Sequence, residues 1–426
     1  MSSLRLDPQA VIGDLDELAS QSGGRFAGAK RLAWTPEWLE ARSWLRSKLA
    51  ECGLEADQDP AGNLWAAIDG DREQFLIVGS HIDAVPDGGW LDGALGLLTA
   101  LETVRQLARS DTKPPIGVRF VDWADEEGAR YGRSLLGSSA CAGTLDPDDV
   151  RELADEGGVT LGDALAACEV DLDAASSAKD RLDGAVGYLE LHIEQGPVLL
   201  DSGRLSAAVS GTFGVERHLI TFVGQAAHAG STPMRLRQDS LAAAARAMLG
   251  IRESAIEHSG VATVGRLHSS PGVITAVAGR TEMQLDQRHL DPSELAAMLA
   301  DAHAGCRAAA EEFNCTLEVR KVFSAAPTKF DPMLVQIARD SVEQASVEQA
   351  SGDQGEPVPS GPLHDATEIG RVVPTAMIFV QSDPPISHAA IEDSPEQAIK
   401  VGIEAYGRTV DGLLARADEL TSRGAT

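Results

Sequence analysis

The sequence predicts an α/β protein with a smaller α+β domain inserted into it. Three observations carry that prediction. Short apolar, β-rich runs alternate with longer stretches of helical period. Several of those runs stop at glycine or at acidic residues. Between residues 211 and 324 the order changes to β-α-β-β-α-β, the ferredoxin-like succession. The larger domain then takes residues 1–210 and 325–426 as its two parts.

The elements follow in order. Thr35-Pro36 opens a helix, with threonine as N-cap and proline at the first helical position. Trp38, Leu39, Trp44, Leu45 and Leu49 recur at helical spacing until Gly53 stops it. Leu64 to Ile68 reads as a strand before the Gly70-Asp71 turn. Phe75-Leu76-Ile77-Val78 is a short buried strand that runs directly into Gly79-Ser80-His81-Ile82-Asp83. A helical stretch, Ala94 to Leu107, comes after Asp92. Ile116 to Trp123 is a further strand, ending in Asp125-Glu126-Glu127-Gly128. Residues 144–185 are polar and alanine-rich, with helical pieces and no legible motif. Val186 to Ile193 is a strand closing on His192-Ile193-Glu194-Gln195-Gly196-Pro197.

In the insert, Arg217–Val223, Val261–Leu267, Thr281–Leu285 and Thr316–Val322 are predicted strands. Ser240–Leu249 and Pro292–Phe313 are predicted helices. Beyond it, Ser341-Val342-Glu343-Gln344-Ala345 is repeated as Ser346-Val347-Glu348-Gln349-Ala350, which reads as a local duplication on a helix surface. Met377 to Val380 is the last strand, and Ser387-His388 follow it.

Composition limits the function classes. The chain has 426 residues, 43% apolar and 24% charged, as an ordinary globular protein does. A formal charge of −29 disfavours nucleic acid and anionic membranes as partners. The N-terminus lacks the apolar core of a secretory signal, and no apolar run approaches the roughly 18 residues of a membrane span. The five cysteines are scattered and form no Cys-x-x-Cys pair, which fits reduced thiols in the cytoplasm.

The residues that carry chemistry collect where apolar strands stop, the place where open α/β sheets build their sites. His81, Asp92, Glu126, Glu127, His192 and His388 comprise three imidazoles, one aspartate and two glutamates, with no thiolate. Such a set suits Zn²⁺, Mn²⁺, Co²⁺ or Ni²⁺. One aspartate between two cations, with the other ligands shared out, would make a two-metal site. Adjacent Glu126 and Glu127 diverge, so one can bind metal while its neighbour acts as base toward a water. Taken singly, His81 also reads as a satisfied buried histidine and Asp92 as a helix N-cap.

These segments resemble the M20 metallopeptidase superfamily, and most closely its hydantoinase/carbamoylase branch of amidohydrolases. The likeness rests on the three stretches quoted around His81, Glu126 and His192 and on Gly88-Gly89-Trp90-Leu91-Asp92-Gly93. It extends through Gly224-Gln225-Ala226-Ala227-His228-Ala229-Gly230, Leu285-Asp286-Gln287-Arg288, Ser360-Gly361 with His364-Asp365-Ala366, and Ser387-His388. The resemblance implies a mixed-sheet di-metal catalytic domain with a lid/dimerisation insert. His81, Asp92, Glu127, His192 and His388 match the metal ligands, with Asp92 bridging, and Glu126 matches the catalytic base. Asp83 matches a carboxylate that orients the ligand histidine. His228 resembles a lid histidine that steadies the oxyanion, often from the partner subunit. Arg288 resembles the arginine that grips the substrate carboxylate, and Gln195 matches a position near substrate.

The chain also departs from the family pattern. Thr275 stands where an asparagine is usual, Ala84 replaces a threonine, and Pro362-Leu363 add bulk before His364, which either lines the pocket or caps a loop. Pro384-Pro385 precede Ile386 where a glycine is common. Arg288 could instead pair with Asp286 or Asp291, and Arg237 with Asp239 as a structural ion pair. His218, His258, His268, His289 and His303 read as surface or lid residues. The implied activity is hydrolysis of a linear C–N bond in a small carboxylate-bearing ureido or amide substrate, an N-carbamoyl-L-amino acid first. It would use two divalent ions per subunit, zinc first, in a cytoplasmic homodimer. Allantoate, an N-acyl amino acid or a peptide as substrate remains open, as does a catalytically silent binding protein of the same fold.

Overall fold

A computed structural model describes residues 4–348 and 355–423. The chain divides into two compact units, residues up to 211 together with those from 330 onward, and Thr212–Lys329.

The first unit is α/β with a large mixed sheet. Phe75–His81 lies between Gly117–Trp123 and Ala185–Ile193 and is parallel to both. Thr375–Val380 adds a fourth parallel strand beside Ala185–Ile193. Leu64–Ile68 and Ser206–Thr212 flank this core antiparallel. Every residue of Phe75–His81 and of Thr375–Val380 is buried, which is why these strands read as unbroken apolar runs. Helix Ala94–Ala108 covers Phe75–His81, while Pro332–Glu348 and Glu396–Leu414 pack on each other and on Thr375–Val380. Helix Pro36–Glu51 starts as its sequence requires: the Thr35 hydroxyl accepts the Trp38 N–H, and Pro36 fills the first turn.

The second unit is an antiparallel four-stranded sheet in the order Thr316–Ala325, Gly214–Val223, Arg280–His289, Val261–Ser270. Helices Ser240–Glu257 and Pro292–Glu312 pack together against it. Its core joins Ile220, Phe222, Met283 and Leu285 of the sheet to Ala243, Ala247, Ala302 and Cys306 of the helices. None of the helices among the described residues is long and apolar enough to cross a membrane.

Several expectations are corrected. The first copy of the five-residue repeat faces the core, with Val342 and Ala345 buried, whereas Val347 of the second is exposed. Five residues turn a helix by about 140°, so identical copies cannot share a face. Residues 349 and 350 lie outside the described residues. Arg237 and Asp239 form no ion pair. Arg237 donates to the carbonyls of Thr232 and Ala229, and Asp239 caps helix Ser240–Glu257 by accepting from Leu241 and Ala242. That helix runs on from Leu249 to Glu257 because Ile251 and Ala255 continue its buried stripe. Of the surface and lid alternatives for His218, the surface one fails, since the residue is buried within the second unit.

Candidate metal centre

Three parallel strands deliver the first groups. His81 is the last residue of Phe75–His81, and His192 the next to last of Ala185–Ile193. Glu126 and Glu127 sit on the turn after Gly117–Trp123. Asp92 comes from the loop entering helix Ala94–Ala108. The helix's own N-cap is Gly93, so the Asp92 carboxylate is not spent on capping. Gly93 has φ +64°, and a Cβ there would meet the His81 ring at 2.4 Å, so only glycine lets Asp92 come this close. His388, also at positive φ, arrives from the segment after Thr375–Val380.

These side chains form two groups sharing Asp92. His81, Asp92 and His192 are all buried; in the second group Asp92 is buried, Glu127 partly so, and His388 exposed. Asp92 Oδ1 lies 3.2 Å from His192 Nε2 and 3.9 Å from His81 Nε2. His388 Nε2 is 3.4 Å from Asp92 Oδ2 and 3.2 Å from Glu127 Oε2. The Glu126 carboxylate stands 3.8 Å from His81 Nε2 and completes neither group. Both buried imidazoles are oriented through Nδ1, which reaches the Asp83 carbonyl at 3.1 Å in His81 and the Ile193 carbonyl at 2.9 Å in His192. That arrangement turns each Nε2 toward Asp92.

The electrostatics are those of a cation site. Burial pushes His81 down to about 3, so its ring is neutral and offers a lone pair. Burial opposes the His192 cation too, but the Asp92 carboxylate outweighs it and lifts His192 to about 9. Burial likewise penalises the Asp92 anion, yet His192, His81 and His388 together hold its carboxyl below the usual range. Burial first, then Asp92 and Asp83, push Glu127 up to about 10. Burial first, then Asp365 and Glu127, push Glu126 well above an ordinary glutamate. Glu127 Oε1 is buried with no hydrogen-bond partner, and His192 Nε2 faces only the Asp92 carboxylate. An orphaned donor atom among crowded carboxylates is what a bound cation would satisfy. The nitrogen and oxygen donors therefore fit divalent ions of the zinc type.

The expected site residues fall into three sets. His81, Asp92, Glu126, Glu127, His192 and His388 converge. Asp83, Gln195 and His364 lie beside them with other contacts than expected. The Asp83 carboxylate accepts the Glu126 and Glu127 N–H groups, both at 3.2 Å, and so shapes the glutamate turn; its contact with His81 Nδ1 is a long 3.7 Å. Gln195 donates Nε2 to Asp92 Oδ2 at 2.8 Å and to Ser387 Oγ at 3.1 Å. His364 is buried, its ring 4.3 Å from that of His192 and its Nε2 3.0 Å from Ser360 Oγ, so it backs a candidate ligand and does not line an open pocket.

His228, Thr275 and Arg288 belong to the second unit. His228 Nδ1 accepts the Gly230 and Ser231 N–H groups at 3.2 Å, which assigns the ring proton to Nε2. Ala276 pairs with His228, and the Thr275 carbonyl accepts the Ala229 N–H, so Thr275 sits beside the histidine. Arg288 Nε and Nη2 bind Asp286 at 2.9 and 3.3 Å, one of the two pairings expected for it.

Glu392 escaped sequence reading. Its Oε1 accepts the Leu91 and Asp92 N–H groups at 3.3 and 3.0 Å, and Oε2 accepts the Ser387 hydroxyl at 2.5 Å. Burial, then Asp92, raise it to about 7. A Cβ on Gly89 would strike its carboxylate at 1.9 Å, so the Gly88-Gly89 pair was the available signal.

The comparisons with known proteins agree with this geometry. The model of Peptidase family M20/M25/M40 matches residues 77–412. The chain is 35% identical to an N-carbamoyl-L-amino acid amidohydrolase of Geobacillus stearothermophilus, over 93% of this chain and 95% of that protein. It is 32% identical to the allantoate amidohydrolase of Escherichia coli (strain K12), over 90% and 92% of the two chains. A solved amidase of the hydantoinase/carbamoylase family from Burkholderia multivorans superimposes with a TM-score of 0.85 at 29% identity, covering 97% of this chain and 98% of that one. With its matched span, its full-length relatives and its strand-end acids and imidazoles in agreement, this chain belongs to the M20 peptidase family, in the hydantoinase/carbamoylase branch of amidases.

Proposed function

We propose that this chain hydrolyses the linear C–N bond of an N-carbamoyl-L-amino acid or a closely related ureido acid. The carrying observation is Asp92, whose two oxygens face two separate groups of donors while Glu126 stands beside them uncommitted. Two divalent ions, zinc first, would be held by His81, Asp92 and His192 and by Asp92, Glu127 and His388. When bound, such a pair polarises the scissile carbonyl and acidifies water.

The chain's own residues do the rest. Glu126 takes the proton from the attacking water and returns it to the leaving nitrogen. His228, with its proton on Nε2, is a donor for the developing oxyanion. Arg288, held in plane by Asp286, grips the substrate carboxylate. Gln195 and Glu392 fix Asp92. The second unit acts as lid and dimerisation domain, and the working enzyme is a homodimer.

Allantoate is the second reading, favoured by the Escherichia coli relative. The deciding experiment offers the zinc- and manganese-loaded protein carbamoyl amino acids, allantoate, N-acyl amino acids and dipeptides in parallel. Release of ammonia and CO₂ from carbamoyl amino acids supports the first reading. Release of a free carboxylic acid from N-acyl substrates alone would replace it, and silence on the whole panel would favour a binding protein.

A further inference from the structure

Ile82 lies between His81 and Asp83, one residue past the end of the ladder. The pairing of Phe75–His81 stops at Val78 on one side and at His81 on the other. Sheet pairing therefore reaches His81 on one side only and leaves Ile82, the next residue, without a strand partner. Two buried charged side chains hold Ile82 instead. Asp122 Oδ1 accepts the Ile82 N–H at 2.8 Å, and Arg31 Nε donates to the Ile82 carbonyl at 2.8 Å.

Each arm is anchored from outside the sheet. Arg42 Nε binds Asp122 Oδ2 at 2.8 Å and stacks on Trp38 at 4.4 Å. The segment carrying Arg31 is tied along the metal loop: the Ala29 N–H donates to the Gly88 carbonyl, and the Ala84 N–H to the Arg31 carbonyl. Arg31 is 2% exposed, and its Nη2 is buried without a hydrogen-bond partner. Among the described residues it has no carboxylate within 4.0 Å. A buried guanidinium without an ion pair is expensive and does not persist as filler. Burial lowers it to about 10, against the pull of Asp83, Glu392, Asp92 and Asp122, so it stays charged at neutral pH.

We infer that Arg31 and Asp122 form a charged clamp across Ile82 that positions His81 for the buried metal ion. Both are positioning residues: neither touches the ion or the substrate. A charge-assisted hydrogen bond at each end of Ile82 fixes the peptide planes on either side of it, and the Ala84 N–H to the Arg31 carbonyl fixes the next plane, which carries the Asp83 carbonyl that meets His81 Nδ1. The inference rests on the reading of His81 as a metal ligand.

The test is titration of the metal-free full chain with Co²⁺ and with Zn²⁺, read by the visible Co²⁺ spectrum and by competition with a chelator. Arg31→Gln keeps a donor and removes the charge; Arg31→Lys keeps both. Arg31→Gln is expected to weaken the first ion by about 10- to 100-fold and to alter its spectrum. Arg31→Lys is expected to restore both, which a loss of bulk stability alone would not produce. If Arg31→Gln does not fold, Asp122→Asn carries the same expectation from the other arm. Wild-type affinity and spectrum in Arg31→Gln or Asp122→Asn would overturn the clamp, and so would a lysine variant no better than glutamine. Failure of the wild-type chain to take up any metal would overturn the metal reading and the clamp together.

Discussion

The two halves of the candidate metal centre share one aspartate and differ in almost everything else. His81 and His192 are 1% exposed, end buried parallel strands, and have each Nδ1 tied to a backbone carbonyl. The His388 side chain is 52% exposed and comes from a loop, and the Glu127 beside it has an unpartnered oxygen. The contrast teaches how one carboxylate can serve a fixed structural subsite and an adaptable one together. A preorganised, dry subsite binds tightly because its ligands lose little freedom on binding; an open one binds more weakly and leaves room for substrate.

The harshest way to break the comparison is to remove the shared residue. Asp92→Ala should empty both halves at once, leaving no metal by mass spectrometry and no turnover. Retention of one tightly bound ion would show that the halves are independent. Next in size is Glu126→Gln, which should cut kcat by about 10²- to 10⁴-fold with metal content unchanged. An active Glu126→Gln enzyme would refute its role as base, and one that had lost its metal would place this residue among the ligands instead. His388→Ala sharpens the contrast: it should weaken only the ion held less tightly, so chelator removal becomes a one-step loss where the wild type loses its ions in two. Glu392→Gln, which keeps the carbonyl acceptor for the Asp92 N–H but not the charge, should cost about tenfold in metal affinity for both halves, since it steadies the residue they share.

The same contrast explains what the sequence could reveal. His81, His192 and the Glu126-Glu127 pair stand where apolar runs stop, and parallel pairing brings such ends to one edge of the sheet. Their meeting could be read from apolar length and position alone. The inserted β-α-β-β-α-β order was legible for a similar reason, since each element carried its own period and cap. Residues that act through a backbone group were not legible. Glu392 holds the Asp92 loop by its N–H groups, and Arg31 holds a carbonyl; any carboxylate or guanidinium at the right depth could do either. His364 was left open between pocket and cap because motif position carries no information on depth; it is the N-cap of Asp365–Ile369, with its ring packed behind His192. The five-residue repeat misled because a sequence copy and a helical turn have different periods.

The smallest expected effect concerns stability, and it separates the halves by their protons. In an unfolded chain a glutamate ionises near pH 4.3. Folding without metal raises Glu127 to about 10, by burial and by Asp92, and Glu392 to about 7 by the same two causes. His192, held by Asp92 against its burial, is raised to about 9. Each native group then keeps a proton that its unfolded counterpart has released, so the metal-free protein loses stability as pH rises. Glu392 has lost its share by about pH 7, whereas Glu127 and His192 continue to lose theirs up to about 10 and 9. Over pH 7 to 9 the Tm of the chelated protein should therefore fall. Metal reverses the sign, because a cation replaces those protons and binds better as they leave. Calorimetry with chelator and with Zn²⁺ at pH 7, 8 and 9 should give diverging Tm values. The gap should narrow in Glu127→Gln, which has no proton to lose at that position, and persist in part through His192. A gap independent of pH would mean that no proton is exchanged for metal, and that the open half is not a cation site.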